Sequence, residues 1–218
     1  MKDEIALKTA VDCGADAVGF VVKSPRSPRN LSISEAKRLL DLVPPFVYTV
    51  AVTASASEKE ILEISERLRP NAIQTYQISP LEFALNLFRS LRVKLIGALS
   101  VDVDADYSES MLRNLVAKAS GMTDLVDAVL VDSSMGDMVG GTGMKGNWRV
   151  AREIRNEISP FPLILAGGLT LENISEAIME VRPYAVDVSS GVESSPGIKD
   201  TSKIEAFIGK VRKFETND

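Results

Sequence analysis

The sequence predicts an α/β chain folded as a (β/α)8 barrel that lacks its first strand. Strand-sized apolar runs alternate strictly with helical patterns along all 218 residues, the signature of βα units around a parallel sheet. The runs are nearly continuous rather than alternating, as strands covered by helices require. In the later runs the polar and Gly residues gather at the C-terminal ends, where barrels build their sites. A doubly wound sheet of seven strands accounts for the first two observations but not for the third.

Taken in order, the chain opens "MKDEIALKTAVDCGADAVGF", where Ile5, Ala6, Leu7, Ala10 and Val11 have helical spacing and predict a helix over 2–12. "AVGFVV" (17–22) is the first strand. Ser34 before Glu35 opens a helix over 34–42, followed by a strand over 46–53. Ser57, ahead of Glu58 and Glu60, opens a helix over 57–68. Strands over 71–76 and 93–100 flank a helix over 79–90. A helix over 107–120 leads to a strand over 127–133, and a helix over 147–158 to a strand over 162–167. Thr170, with Glu172 and Asn173 behind it, opens a helix over 170–181. A strand over 185–190 and a helix over 201–213 complete the chain. The count is seven strands and eight helices, with a helix first. Without a linker, a low-complexity tract or a shift in composition, residues 1–218 read as one domain.

The composition excludes several classes of function. A net charge of −5 with no basic run argues against a nucleic-acid partner. No signal peptide or membrane-sized apolar run is seen. The one cysteine forms no internal disulfide and fits a reducing cytoplasm. There is no histidine, so Ser-His-Asp and Cys-His catalysis and the common histidine metal sites are excluded. Acid–base chemistry falls to Asp, Glu, Cys, Lys or Tyr.

Two Gly-rich turns carry the first candidates. "LILAGGLTLENI" sets Gly167 and Gly168 between a strand and a helix, and "VDVSSGVESSPGIKD" sets Ser189, Ser190 and Gly191 after the last strand. Loops at these two strand ends can aim backbone N–H groups and a hydroxyl at a phosphate. The same residues also serve any turn that needs φ > 0. Asp132 ends "AVLVDSS", where a carboxylate at the barrel mouth can be desolvated into a general acid, or can cap a loop. The Gly-rich loop after it, "SSMGDMVGGTGMKGNW", can close over a ligand.

"KSPRSPRNLS" offers Arg26 and Arg29, either of which can clamp a substrate carboxylate or sit in a solvated basic loop. Asp187, inside the last strand, points into the mouth or serves as a satisfied structural acid. Cys13 falls between the first helix and the first strand, on the stability face of a barrel, and reads as structural.

With "GADAVGF", "SPRNLS", "LVD", "GGTG", "LILAGGLTLENI", "RPYAVDVSSGVESSPGIKD" and "KIEAFI" in place, the chain resembles the phosphoribosylanthranilate isomerase family. The resemblance runs from the first residues to about Arg212. It implies an Amadori rearrangement in tryptophan biosynthesis, on a small phosphosugar–anthranilate substrate, without cofactor or metal. By resemblance Asp132 is the general acid and Arg29 holds the anthranilate carboxylate. Gly167, Gly168, Ser190 and Gly191 form the phosphate loops, and Asp187 lines the site.

The family's base is a cysteine in a Lys-Ile-Cys-Gly strand, and the opening segment aligns with the part of the family pattern just after that motif. The resemblance therefore implies that this strand and its cysteine are missing and that activity is impaired. "IQTYQ" stands where the family usually has Gln-Leu-His-Gly, and Asn147 where Asp-Trp is common. Two other readings stand beside this one. The first is a different phosphosugar isomerase or epimerase working through Asp132 and Asp187; the second is a non-catalytic phosphate-ligand binder. The sequence leaves open whether the chain forms a homo-oligomer.

Overall fold

The continuous apolar runs fold into seven strands in a computed structural model that describes residues 1–54, 56–76, 93–102, 107–134 and 148–215. They are β1 (Ala17–Val21), β2 (Tyr48–Thr53), β3 (Ala72–Thr75), β4 (Lys94–Asp102), β5 (Ala128–Ser134), β6 (Leu163–Ala166) and β7 (Ala185–Val186). All pairings in this sheet are parallel, and strand order follows chain order from β1 to β7. That order belongs to a barrel, since a doubly wound sheet reverses its order at a switch point. Among the described residues no strand pairs β7 with β1.

The helices are α1 (Glu4–Asp12), α2 (Ile33–Leu40), α3 (Glu58–Leu68), α4 (Glu109–Met122), α5 (Trp148–Ile158), α6 (Ile174–Val181) and α7 (Thr201–Glu215). The helix expected over 79–90 lies outside the described residues. The last helix, α7, packs on both α6 and α1, so the helical layer joins the end of the chain to its beginning. Arg212 of α7 reinforces that junction by donating to Asp16 at 2.7 Å.

Register divides the sheet into two faces. Ala51, Ile73 and Leu95 align across β2, β3 and β4, and they join Val129, Leu163 and Leu165 in a fully buried layer beneath the helices. Each Ile, Leu or Val side chain among them contributes roughly 1.5–3 kcal/mol through burial. The inner face holds a separate cluster of Ala98, Leu130 and Ala166, with Tyr76, Ile96 and Ile164 against it. Alternation along a strand then assigns Asp132, two residues past Leu130, to the same inner face.

Three local expectations shift by a few residues. Helix α2 is capped by Ser32, not opened at Ser34. Ser32 donates its N–H to Glu35 at 2.8 Å, and the Glu35 N–H donates back to the Ser32 hydroxyl at 3.2 Å. Only Ser32 has the three-residue spacing to Glu35 that this reciprocal cap needs. Helix α6 begins at Ile174, because Thr170 and Asn173 close a turn first, through Thr170 N–H to Asn173 Oδ1 at 2.8 Å.

Strand β7 pairs only through Val186, although the Asp187 N–H still donates to the Leu165 carbonyl at 2.8 Å. The chain then makes a 3-10 turn over Ser190–Val192 and a hairpin, β8 (Glu193–Ser195) with β9 (Ile198–Lys199). Among the described residues no helix is long and apolar enough to cross a membrane.

Candidate active site

Asp132 sits at the C-terminal end of β5, in register with Ser100 of β4 and Ala166 of β6. The Tyr76 hydroxyl, just past the end of β3, donates to Asp132 Oδ2. Burial raises the Asp132 carboxyl above the usual carboxylate range, while the bond from Tyr76 pulls the other way. Burial and the Asp132 charge hold the Tyr76 phenol protonated well beyond its ordinary range.

Asp187 follows β7 on the same inner face, two residues past Ala185, which pairs with Ile164. Its side chain can be reached by solvent, yet it is crowded by protein. That desolvation, followed by the charge of Asp132, raises its carboxyl, and Lys199 opposes the rise.

The Gly-rich turns meet each other at this end of the sheet. Gly167 has φ of +82° and lies against the backbone of Ser133, with Asp132 Oδ1 2.5 Å from where a Cβ would stand. Gly191 lies against the Leu169 carbonyl so closely that a Cβ would overlap it. Gly167, Gly168, Ser190 and Gly191 therefore belong to two touching loops, beside Asp132. Asn173 ties the first loop down by donating to the Gly168 carbonyl at 2.9 Å. Lys199 ties the second by donating to the Ser189 carbonyl at 2.6 Å.

The duplicated Ser-Pro-Arg folds as two tandem turns. The Ser27 N–H donates to the Ser24 carbonyl at 2.9 Å, and the Asn30 N–H to the Ser27 carbonyl at 3.1 Å. Each turn thus has Ser first and Pro second, the arrangement that proline's fixed φ favours. The two arginines part company at this point. Arg26 is exposed. The Arg29 side chain is only 16% exposed and forks onto Glu193, with Nε to Oε1 and Nη2 to Oε2, each at 2.7 Å. Lys199 at 3.1 Å and the Gly197 N–H at 3.1 Å complete the shell around Glu193. Burial pushes the Glu193 carboxyl up, but these donors more than offset it and hold the group below its ordinary range.

Cys13 caps α1 ahead of β1, at the end of the sheet opposite Asp132. The Gly-rich loop over 135–147, with "GGTG" and Asn147, lies outside the described residues. Among the described residues no cluster of His, Cys, Asp or Glu is arranged to hold a metal ion.

Residues 1–210 match the family model for N-(5'phosphoribosyl)anthranilate (PRA) isomerase. The chain belongs to this isomerase family. It is 38% identical over 213 residues to the N-(5'-phosphoribosyl)anthranilate isomerase of Methanothrix thermoacetophila, covering 97% of this chain and 95% of the relative. The phosphoribosyl anthranilate isomerase of Thermotoga maritima superposes with a TM-score of 0.83 at 31% identity, over 98% of this chain and 96% of that one. A second solved isomerase, in complex with reduced 1-(o-carboxyphenylamino)-1-deoxyribulose 5-phosphate, has a TM-score of 0.77 at 31% identity, over 98% and 95% of the two chains.

Sequence reasoning missed three residues around this isomerase-family site. Tyr76 shares the inner-face parity of Gln74 on β3, its one local signal, and stands where the family resemblance expects histidine. Glu193 and Lys199 lie inside the quoted "GVESSPGIKD" and pair with each other, but Arg29, the other charged partner of Glu193, is 164 residues away and leaves no local signal.

Proposed function

We propose that the chain catalyses the Amadori rearrangement of N-(5'-phosphoribosyl)anthranilate to the aminodeoxyribulose phosphate, as one barrel domain in the cytoplasm. The observation that carries this reading is the convergence on one sheet end of a desolvated Asp132 with two touching Gly-rich loops. Gly167, Gly168, Ser190 and Gly191 hold the phosphate through backbone N–H groups and the serine hydroxyl. Arg29 gives one edge of its guanidinium to Glu193 and turns the Nη1 end of the fork to the anthranilate carboxylate. Asp187 lines the site on the same inner face as Asp132.

With both ends of the substrate held, Asp132 gives its proton to the ribose ring oxygen. The C1′–O bond breaks and a Schiff base forms with the anthranilate nitrogen. Removal of the C2′ proton then yields an enolamine, which tautomerises to the ketone. A raised carboxyl pKa keeps Asp132 protonated closer to neutral pH, as the first step needs. By the family resemblance, proton removal belongs to a cysteine in a Lys-Ile-Cys-Gly strand, a motif the 218 residues do not contain. Cys13, at the end of the sheet opposite Asp132, is not placed to take that part; a positioned base is worth about 10²–10⁴ in rate.

The test is loss of phosphoribosylanthranilate fluorescence with this chain, and with a form carrying a Lys-Ile-Cys-Gly strand ahead of Met1. Turnover that rises steeply in the extended form is expected. No turnover in either, with inorganic phosphate still bound, would overturn the isomerase reading in favour of a phosphate-ligand binder. The substrate is the small-molecule partner in this reading, and sedimentation of the chain at several concentrations would decide whether it is also a homo-oligomer.

A further inference from the structure

We propose that Tyr76 is a positioning residue for Asp132, fixing which carboxyl oxygen carries the proton delivered to substrate. The proposal rests on Asp132 being the general acid. A protonated carboxyl holds its hydrogen on one oxygen and accepts through the other. The Tyr76 hydroxyl occupies Oδ2 as a donor, so the proton is left on Oδ1. That oxygen lies over Gly167, on the side of the two touching loops. Gly167 adds to this: a Cβ there would crowd Oδ1 and Ser133, whereas glycine leaves the oxygen room to present its hydrogen.

Among the described residues Tyr76 is the side chain that bonds this carboxyl. The register neighbours of Asp132 on β4 and β6 are Ser100 and Ala166, which carry no charge. Among the described residues Asp187, past the end of β7, is the other titratable group whose charge acts on the pair, on Tyr76 as well as through Asp132. Because the phenol stays protonated throughout the working range, it donates whether Asp132 is charged or neutral. It therefore stabilises the carboxylate and limits how far burial can raise the acid.

The test compares Tyr76→Phe and Tyr76→His with the parent, using forms that carry the Lys-Ile-Cys-Gly strand. Titration of the Asp132 carboxyl is followed by 13C NMR, assigned with Asp132→Asn, beside the pH profile of kcat. In Tyr76→Phe the carboxyl titrates at higher pH, the alkaline limb of kcat moves with it, and the plateau falls roughly ten- to hundredfold through loss of orientation. Tyr76→His restores a donor and draws both back toward the parent. A folded Tyr76→Phe protein whose Asp132 titrates as in the parent overturns the proposal. A displaced titration with an unmoved rate profile overturns instead the assignment of Asp132 as the acid.

Discussion

Arg29 and Glu193 are 164 residues apart in sequence and meet in a two-pronged ion pair, with both contacts at 2.7 Å. The pair joins the tandem Ser-Pro-Arg turns to the β8–β9 hairpin, and Lys199 extends it to Ser189 in the second Gly-rich loop. Through one buried carboxylate, the two loops proposed to hold opposite ends of the substrate become a single unit. With the Glu193 side chain only 4% exposed, replacing it leaves two cations without their counter-charge.

Glu193→Ala should therefore cost about 3 kcal/mol at neutral pH, measured by urea unfolding. The sign with pH follows from the lowered carboxyl of the folded state. The stability that Glu193 supplies is full above its unfolded value of about 4.3 and is lost as pH falls through the folded value. The gap between parent and variant should narrow on acidification. A gap independent of pH would show that packing, not charge, accounts for the loss.

The two arginines should separate cleanly. Arg26→Ala, at an exposed site, should leave stability within about 0.5 kcal/mol and KM unchanged. Arg29→Ala should raise KM for the anthranilate substrate about ten- to hundredfold, the worth of a charge-assisted hydrogen bond. Equal effects in steady-state kinetics would remove Arg29 from its proposed role.

Glycine substitutions test the contact between the loops. Gly191→Ala puts a methyl group into the Leu169 carbonyl, so the loops must part. Affinity for inorganic phosphate should drop at least tenfold, read by calorimetry, with a stability loss of about 2 kcal/mol. Gly209 in α7 has nothing within 4 Å of its missing Cβ. Gly209→Ala should instead stabilise by about 0.5–1 kcal/mol, through helix propensity alone.

What was legible in the sequence divides along physical lines. The seven strands could be read because each carries its signal locally, as a run of residues buried beneath helices. The ends of elements were less legible, because Ser32 and Ser34 both look like caps until the spacing to Glu35 is weighed. At the candidate site, Asp132 and Gly167 were legible from their places at C-terminal strand ends, although a loop cap and a turn with φ > 0 use the same residue types. Tyr76 was not, since an aromatic residue ending an apolar strand reads as core, and its partner lies two strands away on β5. Glu193 depends on a partner 164 residues distant, a distance across which no periodicity carries information.

Asp132 should also be a site where stability has been given up for chemistry. Its folded-state carboxyl is raised by burial. Relative to a neutral side chain, the folded state is therefore unpenalised below the unfolded value of about 3.9 and loses stability as pH rises toward the folded value. Asp132→Asn keeps an oxygen that can accept from Tyr76 and removes the buried charge. Its melting temperature should exceed the parent's by about 3 °C at pH 8, and the advantage should vanish near pH 4. The same substitution should lower kcat by about 10²–10⁴, because no proton remains to give to the ring oxygen. Calorimetric melting across that pH range, beside kinetics, checks both halves. A variant less stable than the parent at pH 8 would mean that contacts beyond Tyr76 stabilise the carboxylate, and burial would no longer explain its acidity.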